Sequence, residues 1–274
     1  FFKAATAITG EMPPWGALTG IRPGRLVTRM LEEGLSERAA LRKMAEEYFV
    51  SPDRARLCLD TARASRKAEL ELQENEISLY VGIPFCPTRC AYCSFVSASV
   101  EKTFSMIEPY LDALEGEIAL MGETVHRLGL RIKSVYMGGG TPTTLSAPQL
   151  ERLLSSLETH FDLSHPAEYT VEAGRPDTVT AEKLAVLRAH GVSRVSINPQ
   201  TMEDTVLRAI GRRHSAQDVL RAMDLARASG IPHINMDLIA GLPEDSAAGF
   251  RRTLDACLAM APDNLTVHTL ALKK

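Results

Sequence analysis

The spacing of apolar positions divides the chain at about residue 75. Before that point they recur at helical intervals in short runs: Leu26–Leu31, then Ser36–Phe49 with Leu41, Met44, Ala45 and Tyr48 on one stripe, then Pro52–Ala68 with Ala55, Leu59 and Ala62 on another. Ser36 is placed to cap the second run, and Ser51-Pro52 opens the third with proline at its first helical position. Glu11 to Arg25 holds three prolines and three glycines and reads as loop and turn. The charged stretch Arg66 to Glu76 reads as the end of the third helix and a connector.

From Ile77 onward short apolar runs alternate with longer amphipathic ones. The strands predicted are Ile77–Ile83, Ile132–Met137, Glu168–Glu172, Val192–Ile197, His233–Ile239 and Leu265–Leu270. Between the first two, Ile107, Leu111, Leu114, Ile118, Met121, Val125 and Leu128 follow one another at three or four residues, as one face of a helix does. Further helices are predicted over Ala147–His160, Ala181–His190, Met202–Ile210, Ala216–Ser229 and Ala247–Met260, with Gly191 and Gly230 ending two of them. Ser215 and Asp218 form a capping-box variant. Six strands, each separated by helix, imply repeated βαβ units and a parallel sheet. A doubly wound open sheet and a closed or partial (β/α) barrel both fit. The expected organisation is a helical N-terminal region over 1–75 and an α/β core over 76–274.

Composition narrows the function classes. The 274 residues carry 31 Lys+Arg and 34 Asp+Glu, a formal net charge of −3 that lacks the basic excess of a mainly electrostatic nucleic-acid binder. No apolar run approaches the roughly 18–20 residues of a membrane span. Five cysteines, an odd number in a chain this long, do not suggest a disulfide framework. Three of them, Cys86, Cys90 and Cys93, fall within eight positions directly after the first strand. Cys58 and Cys257 sit among leucines in helical runs and read as buried thiols.

The triplet is spaced C-x3-C-x2-C. Three thiolates in one loop can each hold one iron of a 4Fe-4S cluster and leave the fourth iron open to an exogenous ligand. A structural zinc site is the bland alternative, but zinc takes four converging ligands, usually as two short-spaced pairs, and no second pair exists. A thiolate-ligated cluster implies a reducing, cytoplasmic setting.

Other residues cluster in the same way. Gly138-Gly139-Gly140-Thr141-Pro142-Thr143 follows the second strand; glycines allow close backbone approach, and exposed amides there can bind an amino-acid ligand, while the absence of a following lysine disfavours nucleotide phosphate. Cys86, Gly138 to Gly140, Glu172, Asn198 with Gln200, and Asp237 all lie at or near the carboxyl ends of consecutive strands. That rim is where a (β/α) barrel gathers its chemistry, whereas an open doubly wound sheet concentrates contacts at one switch point.

C-x3-C-x2-C after the first strand of a βα repeat resembles the radical S-adenosylmethionine enzymes. Tyr80-Val-Gly-Ile-Pro-Phe-Cys86 is similar to the cluster loop of the oxygen-independent coproporphyrinogen III oxidase family, Tyr-x-His-Ile-Pro-Phe-Cys, with Gly82 in place of the histidine. The likeness extends over roughly Ser78 to Leu272. It includes the GGTPT of residues 139–143, Arg194-Val-Ser-Ile-Asn-Pro-Gln200, and Asn235-Met-Asp237-Leu-Ile-Ala-Gly-Leu-Pro243. After Glu172 the chain departs from the family's Glu-x-Asp/Asn-Pro, reading Ala173-Gly174-Arg175-Pro176-Asp177. Trp15-Gly-Ala-Leu-Thr-Gly-Ile-Arg-Pro23 looks like the leader of a longer branch.

The resemblance implies a partial (β/α)6 barrel of the radical SAM type. It implies that Cys86, Cys90 and Cys93 hold a 4Fe-4S cluster, and that Tyr80, Tyr92, Gly138, Gly139, Gly140, Thr141, Glu172, Gln200, Arg212 and Asp237 contact S-adenosyl-L-methionine, with Tyr92 near the adenine. His268, on the last strand, is not assigned a role. The activity implied is oxidative decarboxylation of coproporphyrinogen III propionates to vinyl groups through a 5′-deoxyadenosyl radical, fed by a low-potential donor such as a flavodoxin or ferredoxin. A similar branch of the family binds and delivers haem instead. Specificity elements are expected beyond Lys274.

Overall fold

In the computed structural model, which describes residues 1–18, 22–95 and 97–270, the chain falls into two units, Phe1–Glu74 and Asn75–Lys274. The first unit holds α1 (Phe2–Thr9), α2 (Gly24–Glu32), α3 (Glu37–Glu46) and α4 (Pro52–Leu70). The last three enclose a core that includes Val27, Met30, Met44, Cys58 and Leu59. Ser36 caps α3, accepting from the Ala39 amide at 3.3 Å. Ser51 makes no such bond, and α4 starts on Pro52 alone, whose fixed φ suits the first helical position. Residues 19–21 of the leader-like motif lie outside the described residues, as do the last residues of the likeness beyond 270.

The second unit runs β1 (Glu76–Ile83), β2 (Phe85–Cys86), β3 (Ala98–Ser99), α5 (Val100–Thr103), α6 (Ile107–Arg127), β4 (Arg131–Gly139), α7 (Ala147–His160), β5 (Glu168–Glu172), α8 (Ala181–Ala189), β6 (Arg194–Ser196), α9 (Asp204–Ala209), α10 (Ala216–Ala228), β7 (His233–Ala240), α11 (Ala247–Ala259) and β8 (Asn264–Thr269). The six main strands are all parallel, in the order β1-β4-β5-β6-β7-β8. Spatial order equals chain order, so every right-handed crossover steps the same way and leaves its helix on the same face. A doubly wound sheet reverses direction once, and this one never does.

The two faces of the sheet confirm the choice. Val81 and Ile83, Val135 and Met137, Tyr169 and Val171, Val195 and Ile197, and Met236 and Leu238 share one hydrophobic core with the inner faces of α6, α7, α8 and α10. The alternate positions are polar and bond to one another: Ser134 to Ser78 at 2.8 Å, Thr170 to Glu168 at 2.7 Å, Asn235 to Ser196 at 3.2 Å. A sheet covered on both faces would be apolar on both. The fold is a partial (β/α)6 barrel with a polar lumen.

Local deviations have local causes. The helix expected from Met202 starts at Asp204 because the Met202 amide donates to Thr253 Oγ1 and the Glu203 amide to Thr201 Oγ1. Ser215 and Asp218 do form a capping box, and Gly191 and Gly230 end their helices with φ of 74°. The two-residue strands β2 and β3 were too short to show a period. Among the described residues no helix is long and apolar enough to cross a membrane.

Candidate active site: a cysteine loop over a polar strand-end cradle

The cysteines leave the barrel on a loop tied down at several points. Cys86 ends β2, which pairs with β3. The Ala91 amide donates to Ile210 O at 3.0 Å and the Thr88 hydroxyl to Gly211 O at 2.9 Å. Gly211 has φ of 78°, and a Cβ there would stand 3.2 Å from Arg89 O, so the loop rests directly on glycine backbone. Cys86, Cys90 and Cys93 are half-buried free thiols, whereas Cys58 and Cys257 are buried in the cores. Burial pushes the Cys86 thiol up, opposed by hydrogen bonds from Thr141 and Ser97. Cys257, with no such partner, is pushed up to about 12.

The glycine turn after β4 serves the loop differently from what its sequence suggests. Gly140 N donates to Ile83 O and Thr141 N to Phe85 O, both at 2.7 Å. Two of the amides expected to face a ligand are therefore bound to the chain that enters the cysteine loop. A Cβ on Gly140 would lie 2.5 Å from Phe85 O, and one on Gly138 would lie 3.1 Å from Glu172 Cδ. The glycines let β1 and Glu172 close in on the turn, and Thr141 adds a hydroxyl donating to Cys86 Sγ at 3.6 Å.

Across the lumen stand Tyr80, Tyr136, Glu172 and Asp237. Tyr80 and Tyr136 are register partners on β1 and β4 and stack at 6.0 Å. Tyr136 Oη donates to Glu172 Oε1 at 2.5 Å. Burial pushes the Glu172 carboxyl up, Tyr136 opposes that, and the charge of Asp237 adds to it. Asp237 accepts from Asn235 Nδ2 at 2.8 Å, and its other oxygen lies 4.0 Å from His268 Nε2. His268, left aside in the sequence, thus reaches the lumen.

Beyond β6 the backbone detours. Gln200 takes a left-handed φ of 67° and rejoins the sheet beside β7, its amide donating to Asp237 O and its carbonyl accepting from Ile239 N. A non-glycine residue held there is strained, and such strain gathers at functional sites. Arg212 is 6% exposed and donates through Nη1 to Asn198 O at 2.5 Å. Tyr92 packs its ring on Val206, Leu207, Ile210, Ile239 and Leu242, its hydroxyl against Cys90 and Arg212. Burial pushes that phenol up. Asn198 Oδ1, Gln200 Oε1 and Arg212 Nε are buried with no partner among the described residues. Buried polar groups are nearly always paired, so three orphans on one rim mark a place for a polar ligand.

Among the described residues no three or more His, Cys, Asp or Glu side chains converge as the ligands of one ion do. A sequence profile described as the Radical SAM superfamily matches residues 80–257. The chain belongs to the radical SAM superfamily. Within it, the chain is 38% identical over 277 residues to the oxygen-independent coproporphyrinogen-III oxidase-like protein HemZ of Bacillus subtilis (strain 168), covering 100% of this chain and 55% of the relative. It is 36% identical over 201 residues to the heme chaperone HemW of the same organism, covering 72% and 51%. The solved structure of Escherichia coli coproporphyrinogen III oxidase, HemN, described as a radical SAM enzyme, superposes with a TM-score of 0.66 at 32% identity, covering 76% of this chain and 47% of that one. The chain spans about half the length of these relatives. Membership of the radical SAM superfamily implies S-adenosylmethionine and a 4Fe-4S cluster as cofactors. Three free thiols and a set of unpartnered polar atoms on one rim fit that pair.

Residues without a motif complete the site. Tyr136 binds Glu172, and Arg175 binds Thr88 of the cysteine loop, which in turn bonds to Gly211 O.

Proposed function

We propose that this radical SAM chain carries out oxygen-independent oxidative decarboxylation of coproporphyrinogen III propionates. The three-thiol loop paired with the orphaned cradle of Asn198, Gln200 and Arg212 supports the radical chemistry, and the likeness to proteins named for coproporphyrinogen III oxidation, at 38% and 32% identity, supports the substrate. When bound, the cluster and S-adenosylmethionine supply one-electron chemistry able to take a hydrogen atom from an unactivated carbon. Cys86, Cys90 and Cys93 hold the cluster. Glu172 and Asp237 offer carboxylates to the cofactor's cationic groups, Gln200 and Asn198 offer acceptors, and Arg212 offers a buried donor. Tyr92 and the apolar residues beneath it shield one side of the cradle from water, and Gly138 to Thr141 and Tyr80 complete the wall. A low-potential flavodoxin or ferredoxin supplies the electrons, in the cytoplasm.

A haem-binding carrier is the second reading, favoured by the 36% identity to a protein named a heme chaperone. Anaerobic incubation of the reconstituted protein with coproporphyrinogen III, S-adenosylmethionine and dithionite separates the two. Vinyl product together with 5′-deoxyadenosine is expected; stoichiometric haem binding without vinyl product would favour the carrier. Asp237→Ala should weaken S-adenosylmethionine binding at least about tenfold while the iron content stays at the wild-type value. Unchanged affinity would remove Asp237 from the site.

A further inference from the structure

The segment after Glu172 departs from the family-like pattern, and the proposed function leaves one of its residues, Arg175, without a part. Arg175 is 2% exposed. A guanidinium keeps its charge at every working pH, so a buried one has to find acceptors for a fixed fork of donors. Nε donates to Asp177 Oδ1 at 3.3 Å. Nη2 donates to Thr88 Oγ1 at 3.0 Å, and Nη1 lies 3.3 Å from Thr88 O and 3.8 Å from Cys90 Sγ. Three of these four contacts fall on the cysteine loop. Thr88 passes the hold on to the backbone after α9 through its bond to Gly211 O.

The charges are arranged asymmetrically. The carboxylate of Asp177 sits on the Nε edge of the guanidinium, and the Cys90 sulfur sits on the Nη1 edge. Asp177 also lies 3.8 Å from His214 Nδ1, but burial, and then the Arg212 charge, push that imidazole down to about 4 and so disfavour its cationic form. Asp177 is therefore the counter-charge of Arg175, and what the sulfur meets is the cationic side of the pair.

We propose that Arg175 is a positioning residue for the cluster loop whose guanidinium, directed at the Cys90 sulfur, favours the one-electron-reduced cluster over the oxidised one. This rests on the cluster assignment made above. Reduction takes one electron from the low-potential donor and moves no proton, so the cluster gains one negative charge. A fixed cation that also donates to a ligand sulfur stabilises the more negative state more. Arg175 acts through Cys90.

The test uses the intact chain reconstituted anaerobically with iron and sulfide, as wild type and as Arg175→Gln, Arg175→Lys and Asp177→Asn. The readouts are circular dichroism, iron and sulfide per chain, and the reduction midpoint from an EPR-monitored dithionite titration. Arg175→Gln is expected to keep its cluster while its reduction equilibrium falls about tenfold, equivalent to about 59 mV for one electron. Arg175→Lys should restore most of that loss. Asp177→Asn, which removes the counter-charge, should shift the equilibrium in the opposite direction. A purely mechanical clamp does not give opposite signs from two variants that break the same ion pair. Equal midpoints in all four proteins at full cluster content would overturn the inference and leave the cluster assignment standing. If Arg175→Gln fails to fold or to take up a cluster, the Asp177→Asn midpoint decides, and an unchanged or lower value overturns the inference. A wild-type chain that takes up no four-iron cluster overturns both.

Discussion

Tyr136 on β4 donates a hydrogen bond from its phenol to Oε1 of Glu172 on the neighbouring strand β5, at 2.5 Å. The bond steadies a carboxylate that burial alone would drive toward its neutral form. Tyr136→Phe keeps the ring and its stack on Tyr80 but removes the donor, so the Glu172 carboxyl should rise further and hold a cationic ligand less well. S-Adenosylmethionine affinity, measured by calorimetry on the reconstituted protein, should fall about tenfold, or about 1.4 kcal/mol. Affinity within twofold of wild type would show that the bond does not serve ligand binding.

The half-buried thiols of the loop and the buried thiols of the cores should separate cleanly on substitution. Cys86→Ala, Cys90→Ala and Cys93→Ala should each abolish uptake of iron and sulfide, while Cys58→Ala and Cys257→Ala retain it. Equal iron retention in all five would refute the assignment of the triplet.

Two glycines near the loop should respond unequally to an added methyl. On Gly140 it would lie 2.5 Å from Phe85 O and 2.8 Å from Ile83 O, backbone atoms that the turn needs as acceptors. Gly140→Ala should lose about 2 kcal/mol or more of stability in urea unfolding. On Gly82 the nearest atom is Tyr80 Cε1 at 3.6 Å, an ordinary contact, so Gly82→Ala should stay within about 1 kcal/mol of wild type. Similar losses in both would contradict this account of the turn.

His214 gives the fold an acid-sensitive element. Burial first, then the Arg212 guanidinium, depress its imidazole to about 4, with Asp177 opposing. In the unfolded chain it takes up its proton at about pH 6.5, so between those values the unfolded state binds more protons and folding weakens as pH falls. Above about pH 6.5 both states are neutral and the effect vanishes. Relative to His214→Gln, the wild type should lose up to about 3 kcal/mol between pH 7 and pH 4 in urea unfolding of the reduced protein. A pH-independent gap between the two would rule out His214 as the source.

How much of this was legible in sequence depended on whether a feature is local. Periodicity yields the six strands, and capping chemistry yields the starts of α3 and α10, because each is a property of a few adjacent residues. The rim of Cys86, Glu172, Gln200 and Asp237 followed once strand ends were placed. Contacts made by register did not follow. Tyr136 reads as one more strand aromatic until β5 brings Glu172 beside it. Gly140 and Thr141 read as free amides until Ile83 and Phe85 are laid against them, and the left-handed turn at Gln200 has no marker such as glycine to announce it. Arg175 fell in a segment that matched no pattern, and its meaning lies in a loop some 87 residues earlier in the chain.

The alternation of the strands also says which changes the molecule can absorb. On β4, Val135 and Met137 belong to the mass that keeps the helices attached, while Ser134, Tyr136 and Gly138 face the lumen. Odd and even positions of one strand thus answer to different demands. A substitution at one parity is judged by whether the protein persists, and at the other by what it can bind. Changes at Ser134, Tyr136 or Gly138 alter the lining of the lumen, whereas changes at Val135 or Met137 alter what the helices pack on.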